Sequence, residues 1–241
     1  LETTINRRLT QRTNVFINSR VERDTVRIKG EVSDETLADL YNKSVFQLGL
    51  RRNSTDRLFS PTRGSLSSFF IETAGLLLQT KFKYYKIYGE NRWYRKIKPG
   101  YVLAFRVLMG TMNSLGGSPV TPIEERFFAG GSYSVRGWRR QLLGPSDEEG
   151  NPRGGNSIIE GSFELRNPIY KGFSGAIFFD YGNVWENWLG FDLLDLRYAI
   201  GTGLRYNTLI GPLRLDFAWK INRQAQDNKN YEIHISIGQA F

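Results

Sequence analysis

Near its C-terminus the chain alternates between large apolar and polar or small residues. From Tyr231 onward, Ile233, Ile235, Ile237 and Phe241 share one face of an extended segment, and Glu232, His234, Ser236, Gly238 and Ala240 share the other. The stretch before it repeats the pattern, with Leu213, Leu215, Phe217, Trp219 and Ile221 set against Arg214, Asp216, Ala218, Lys220 and Asn222. Successive side chains of a strand point to opposite sides, so period-two alternation predicts strands with one apolar face. Upstream, Tyr198, Ile200, Leu204 and Tyr206 oppose Arg197, Ala199, Gly201, Gly203 and Arg205. Ile159, Phe163 and Leu165 oppose Glu160, Ser162 and Glu164, and Tyr101, Leu103, Phe105, Val107 and Met109 mark a further strand. Weaker alternation covers 14–21, 45–51, 65–73, 81–93 and 173–181, giving ten predicted strands, the last at 231–241.

A soluble sandwich alternates too. What separates the two architectures is the make-up of the apolar face, which here is rich in Tyr, Phe and Trp towards strand ends. Aromatics are 14% of the 241 residues, with 25 Gly against 8 Pro. A β-branched core would suit a sandwich; an aromatic girdle suits a lipid interface. Connections agree: short turns (97–100, 167–172, 207–212) alternate with longer polar loops (185–196, 222–230 and the long 110–156). Short on one rim and long on the other is how outer-membrane barrels are built. The reading is an all-β antiparallel transmembrane β-barrel. No run of 18 apolar residues provides a transmembrane helix, which leaves barrel strands unaffected.

Charge and chemistry change this picture little. The formal net charge is +9, from 33 basic and 24 acidic residues, which suits a solvated basic surface, lipid phosphates or nucleic acid. The basic residues are scattered among apolar ones rather than gathered in a stripe, which counts against nucleic acid. Cysteine is absent and His234 is the one histidine, so thiolate and histidine metal sites and most acid–base chemistry fall away. His234, at an inward strand position, reads as a structural or lumen residue. Asp147, Glu148 and Glu149 before Gly150 and Asn151 hint at calcium but read as a solvated loop tip. With no nucleophile elbow, phosphate loop or metal spacing, neither an enzyme nor a cofactor is expected.

The longest loop holds Glu125-Arg126-Phe127-Phe128-Ala129-Gly130-Gly131-Ser132-Tyr133-Ser134-Val135-Arg136-Gly137-Trp138. This resembles the loop signature of the BamA/TamA outer-membrane assembly superfamily: an aromatic-rich stretch, a Gly-Gly pair and a Val-Arg-Gly-aromatic tetrad. Gly161-Ser162-Phe163-Glu164-Leu165-Arg166-Asn167-Pro168 and Phe178-Phe179-Asp180-Tyr181-Gly182-Asn183-Val184-Trp185 are similar to the two strands that follow it. Gly211-Pro212-Leu213-Arg214-Leu215-Asp216-Phe217-Ala218 is similar to the penultimate strand, its ending leaning towards TamA, and Ser60-Pro61-Thr62-Arg63-Gly64 to a periplasmic turn. Terminal Phe241 resembles the aromatic end of a barrel sorting signal.

The resemblance implies a sixteen-stranded barrel of which residues 1–241 are about the last ten strands, with Leu1 inside the barrel domain and no POTRA domain in this chain. It implies a lumen-inserting loop at 110–156, with Arg136 meeting Asp180 and Glu164. Independently of any family, an arginine confined among inward carboxylates gains most from its bidentate fork, Gly137 permits a tight turn or close approach, and Trp138 supplies apolar area. The implied role is an outer-membrane factor that inserts or exports barrel proteins through a seam at Tyr231, Ile233, Ile235, Ile237 and Phe241. The alternative is a two-partner secretion transporter or passive pore. Implied partners are outer-membrane lipids including lipopolysaccharide, nascent barrel or secreted proteins, and periplasmic proteins reached through further N-terminal domains.

Overall fold

The computed structural model describes residues 1–25, 40–75, 80, 82–116, 121–208, 211–224 and 227–241. Among these, eleven strands form one sheet in sequence order, every neighbouring pair antiparallel. They are β1 (Glu2–Thr10), β2 (Thr13–Thr25), β3 (Leu40–Asn53), β4 (Gly64–Ala74), β5 (Tyr84–Lys98), β6 (Tyr101–Ser114), β7 (Ser157–Tyr170), β8 (Phe173–Trp185), β9 (Arg197–Thr208), β10 (Gly211–Lys220) and β11 (Tyr231–Ile237).

One strand more than the pattern predicted is present. β1 carries large apolar residues only at Ile5 and Leu9, with Arg7 between them, too few for alternation to register. Five strands follow the long connection, and β6 runs on to Ser114, so that connection begins at residue 115 rather than 110. Lys81, at the start of a predicted strand, lies outside the described residues. So do 117–120, 209–210 and 225–226, within predicted loops and a turn.

Facing follows parity. Phe217, Trp219, Ile233, Ile235 and Ile237 are exposed on the outer face, Ile235 at 75%, while Asp216 is 0% and Lys220 6% exposed on the inner one. With the opposite orientation those charges would sit in hydrocarbon. Replacing Ile235 by arginine should therefore cost ~2–4 kcal/mol in a bilayer if that position lies near mid-membrane. Denaturant unfolding from lipid vesicles measures it, and a cost near zero would mean that this face does not meet lipid.

Phe241 departs from the pattern. Strand geometry ends at Ile237; Gly238 takes φ +95°, a left-handed conformation that a side chain disfavours, and the last residues turn to the inner side. Phe241 is 8% exposed, its ring centroid 6.5 Å from that of Tyr94, in a cluster with Val102, Ala104 and Ala240. Parity places a side chain only while the strand lasts. The terminal strand is thus Tyr231–Ile237, and Phe241 does not share its outer face.

The inner face is covered by residues 121–156 of the connection between β6 and β7. Its Phe127, Ala129, Val135, Trp138 and Leu143 pack with Tyr84, Leu108, Met112, Ile158, Val184 and Ala199 of the strands, forming the main apolar cluster. Side-chain bonds from this connection reach Arg20 on β2 at one end and β11 at the other, so the sheet curls around it.

Candidate functional site on the inner face

The tetrad loop is closed on itself before it meets the sheet. Gly131 N–H donates to the Trp138 carbonyl (2.9 Å), and Trp138 N–H to that of Val135 (3.2 Å). Gly130 and Gly131 take φ of +97° and +109° to make this turn. Gly137 lies against β9, where a Cβ would come 2.8 Å from that of Ala199. Val135 joins the apolar cluster. Trp138 is 1% exposed; its indole N–H donates to Asp227 Oδ2 (3.1 Å), and Lys220 Nζ sits 5.1 Å from its ring and 2.6 Å from Asp227 Oδ1.

Arg136 is 1% exposed, and each of its nitrogens donates at least one hydrogen bond. Its Nε and Nη2 grip Asp180 Oδ2 and Oδ1 (2.8 and 2.9 Å), its backbone N–H donates to Oδ2 (3.0 Å), Nη1 donates to Glu164 Oε2 (2.7 Å) and Nη2 to Ser162 Oγ (3.2 Å). The guanidinium carbon stands 3.3 Å from the ring centroid of Phe178. Glu164 comes from β7, Asp180 from β8 and Arg136 from the loop, so this grip fixes the loop across two strands.

Around this contact lies a larger ion cluster. Arg166 Nε donates to Glu164 Oε1 (2.8 Å), and Arg205 Nη2 lies 3.4 Å from Glu164 Oε2. Asp216 accepts from Arg205, with Arg214 Nε 3.2 Å and Arg136 Nη1 3.5 Å away. Arg205 and Arg214 sit directly opposite each other across β9 and β10, a like-charge pair that would ordinarily destabilise a ladder. Asp216 beside both offsets that repulsion. Four guanidiniums and three carboxylates are thus withdrawn from bulk water, and such groups persist only when mutually paired.

Glu160, at inward parity like Glu164 and buried as that parity predicts, pairs with Arg106 (3.1 Å) and with the Ser134 hydroxyl, and Arg106 also holds Glu90 (2.6 Å). A third group gathers on Glu125, with Lys43 at 2.6 Å, Arg20 at 2.9 Å and Lys86 at 3.7 Å. Burial pushes the Glu125 carboxyl up, but the Lys43 hydrogen bond and the charges of Lys43, Lys86 and Arg20 outweigh it and hold its pKa below the usual value. Arg166, Arg205, Arg214, Asp216 and Asp227 went unremarked as partners. The one sequence signal of the first four was charge at inward strand parity; Asp227, in the loop between β10 and β11, had none.

Contacts also join the loop to β11. The Tyr133 hydroxyl donates to the Ile237 carbonyl (2.5 Å), His234 Nε2 lies 2.8 Å from the Arg136 carbonyl oxygen, and Arg139 Nε lies 3.3 Å from Glu232 Oε1. Tyr231, Ile233, Ile235 and Ile237 stay on the outer face, Tyr231 stacked on Phe217 at 5.3 Å.

The sequence matches the Omp85 superfamily domain over residues 1–241. It is 27% identical over 214 residues to the outer membrane protein assembly factor BamA of Neisseria meningitidis, covering 75% of this chain and 26% of that protein. It is 26% identical over 228 residues to BamA of Nitratidesulfovibrio vulgaris, covering 92% and 28%. Over 122 residues it is 35% identical to chloroplastic outer envelope protein 80 of Arabidopsis thaliana, covering 47% and 15%. The chain thus spans about a quarter of the length of these BamA relatives. The crystal structure of Haemophilus ducreyi BamA lacking POTRA domains 1–3 shares the fold, with a TM-score of 0.78 at 20% identity, covering 97% of this chain and 52% of that one. The lean of residues 215–218 towards TamA gains no support from these relatives.

Proposed function

Because the chain belongs to the Omp85 superfamily, we propose that it is barrel sequence of an outer-membrane protein assembly factor, inserting or exporting barrel proteins at a seam bordered by β11. It is an outer-membrane β-barrel chain, crossing with strands. Its substrates are nascent barrel or secreted proteins, and lipids, lipopolysaccharide and periplasmic proteins are its proposed surroundings and partners. The observation that carries the reading is the tie between the tetrad loop and β11, through Tyr133, Arg136 and Arg139. A strand edge recruits another strand by offering unpaired backbone groups, and a seam strand must keep its shape while that edge is vacated. The loop supplies such a brace from inside, through the His234 and Glu232 side chains and through one backbone carbonyl at the strand's end, that of Ile237.

The test uses the full-length protein. A disulfide tying β11 to the first strand of the complete barrel should abolish assembly activity while heat-modified gel migration shows the barrel intact, and reductant should restore activity. Full activity in the cross-linked form would overturn the seam reading and favour a passive pore.

A further inference from the structure

We propose that the short-turn rim of the barrel is a docking surface for anionic phospholipid headgroups, which it selects over zwitterionic ones. The proposal rests on the membrane-spanning reading above. The turns between β1 and β2, β3 and β4, β5 and β6, and β7 and β8 all lie at one end of the sheet. That end carries Arg12, Arg52, Arg57, Arg63, Lys98 and Lys171, all exposed. Within residues 7–16, 50–66, 92–104 and 166–176 the one acidic residue is Asp56, and it is taken up locally, accepting from the Thr62 and Arg63 backbone N–H groups and the Thr62 hydroxyl. At the opposite end carboxylates such as Asp147, Glu149, Glu186 and Asp195 interleave with the cations, so the chain's +9 is concentrated at one rim.

The placement fits a lipid surface better than a protein one. Arg52 shares its face of β3 with exposed Leu48 and Leu50, so its charge ends the outward apolar stripe at headgroup depth. Lys98 Nζ lies 4.1 Å from the Tyr101 ring and Lys171 Nζ 5.1 Å from that of Tyr170, pairing a cation with an interfacial aromatic. Leu58 and Phe59, 76% and 69% exposed beside Arg57, give the 54–63 loop an apolar tip with a basic flank. The cations are spread over the four turns that join β1 to β8 instead of gathered in one patch, matching the continuous ring of phosphates around a barrel. Short turns mark the periplasmic rim, so the leaflet in contact is the phospholipid one. Arginine and lysine bind phosphate by charge-assisted hydrogen bonds.

Electron spin resonance on the full-length protein in vesicles tests this, with spin-labelled phosphatidylglycerol compared against spin-labelled phosphatidylcholine. The fraction of each label immobilised at the protein surface gives a relative association constant. A several-fold preference for phosphatidylglycerol is expected, reduced by added salt in the unsubstituted protein. R52Q/R57Q/K98Q/K171Q should lower it by ~3-fold or more, inside the ~5-fold that a single cation contributes at an anionic surface. R140Q/R153Q/K229Q on the other rim should leave it unchanged. Equal immobilisation of both labels, or a preference that survives both salt and the four substitutions, would overturn the proposal and leave the rim to an acidic protein surface. Immobilisation of neither label would instead overturn the membrane reading itself.

Discussion

Arg136→Ala should loosen residues 130–138 and destabilise the barrel's inner face by ~3–5 kcal/mol if the site is dry, less where water reaches it. The cost comes from what stays behind: Asp180 loses both arms of the guanidinium, Glu164 loses its shortest bond, and Asp216 loses a cation at 3.5 Å. Asp180→Asn should give a defect of the same kind, since the amide no longer offers two charged acceptors. Because each substitution breaks one shared contact, the double mutant should fall short of additivity by ~0.5–3 kcal/mol. Denaturant unfolding in vesicles reads the stabilities, and amide exchange over 130–138 reads the loop. Strictly additive single effects would mean that the two residues do not act as a pair. On the proposed function, assembly activity of the full-length protein falls with the loop's protection.

Gly201→Val should be nearly as damaging, although Gly201 lies outside the loop and carries no charge. It lies on the inner face of β9 beneath Phe178, and a Cβ there would overlap the ring edge of Phe178 and the Phe217 carbonyl. Phe178 in turn carries the Arg136 guanidinium on its face, so glycine, ring and cation form a stack. Arg136 is already held on its other sides by Asp180, Glu164 and Ser162. Displacing the ring therefore moves the cation off its carboxylates, adding to the ~1–3 kcal/mol that overpacking alone costs. The expected signature is lost exchange protection at 130–138 together with lowered stability. Gly201→Val with unchanged protection of the loop would show that Phe178 can swing aside without disturbing Arg136.

Local pattern made much of this protein legible before its fold. The alternation in 213–221 and 231–237 assigned inner and outer faces because strand parity needs no knowledge of neighbours. The tetrad stood out as a loop motif, and Asp180 and Glu164 as inward carboxylates on the two strands after it. β1 was missed because two apolar positions separated by Arg7 leave no period to detect. The inward turn of Phe241 was missed because a left-handed Gly238 ends the strand, and nothing in alternation announces where a strand stops.

The partners within the ion cluster belonged to the tertiary structure alone. Sequence put Arg166, Arg205, Arg214 and Asp216 at inward parity, yet inward parity describes every second residue of all eleven strands. Which cation meets which carboxylate depends on register: Arg205 faces Arg214 across one ladder, Glu164 faces Phe178 across another, and a slip of one residue would turn each of them outward. The Gly201–Phe178–Arg136 stack likewise joins residues from two strands and a loop through a depth of packing that no one-dimensional pattern records. The sequence by itself determined the strands, their faces and the loop that carries Arg136. The curl of the sheet decided which charges share the space that loop fills, because unlike charges withdrawn from water are stable only where the backbone brings their atoms within hydrogen-bond reach.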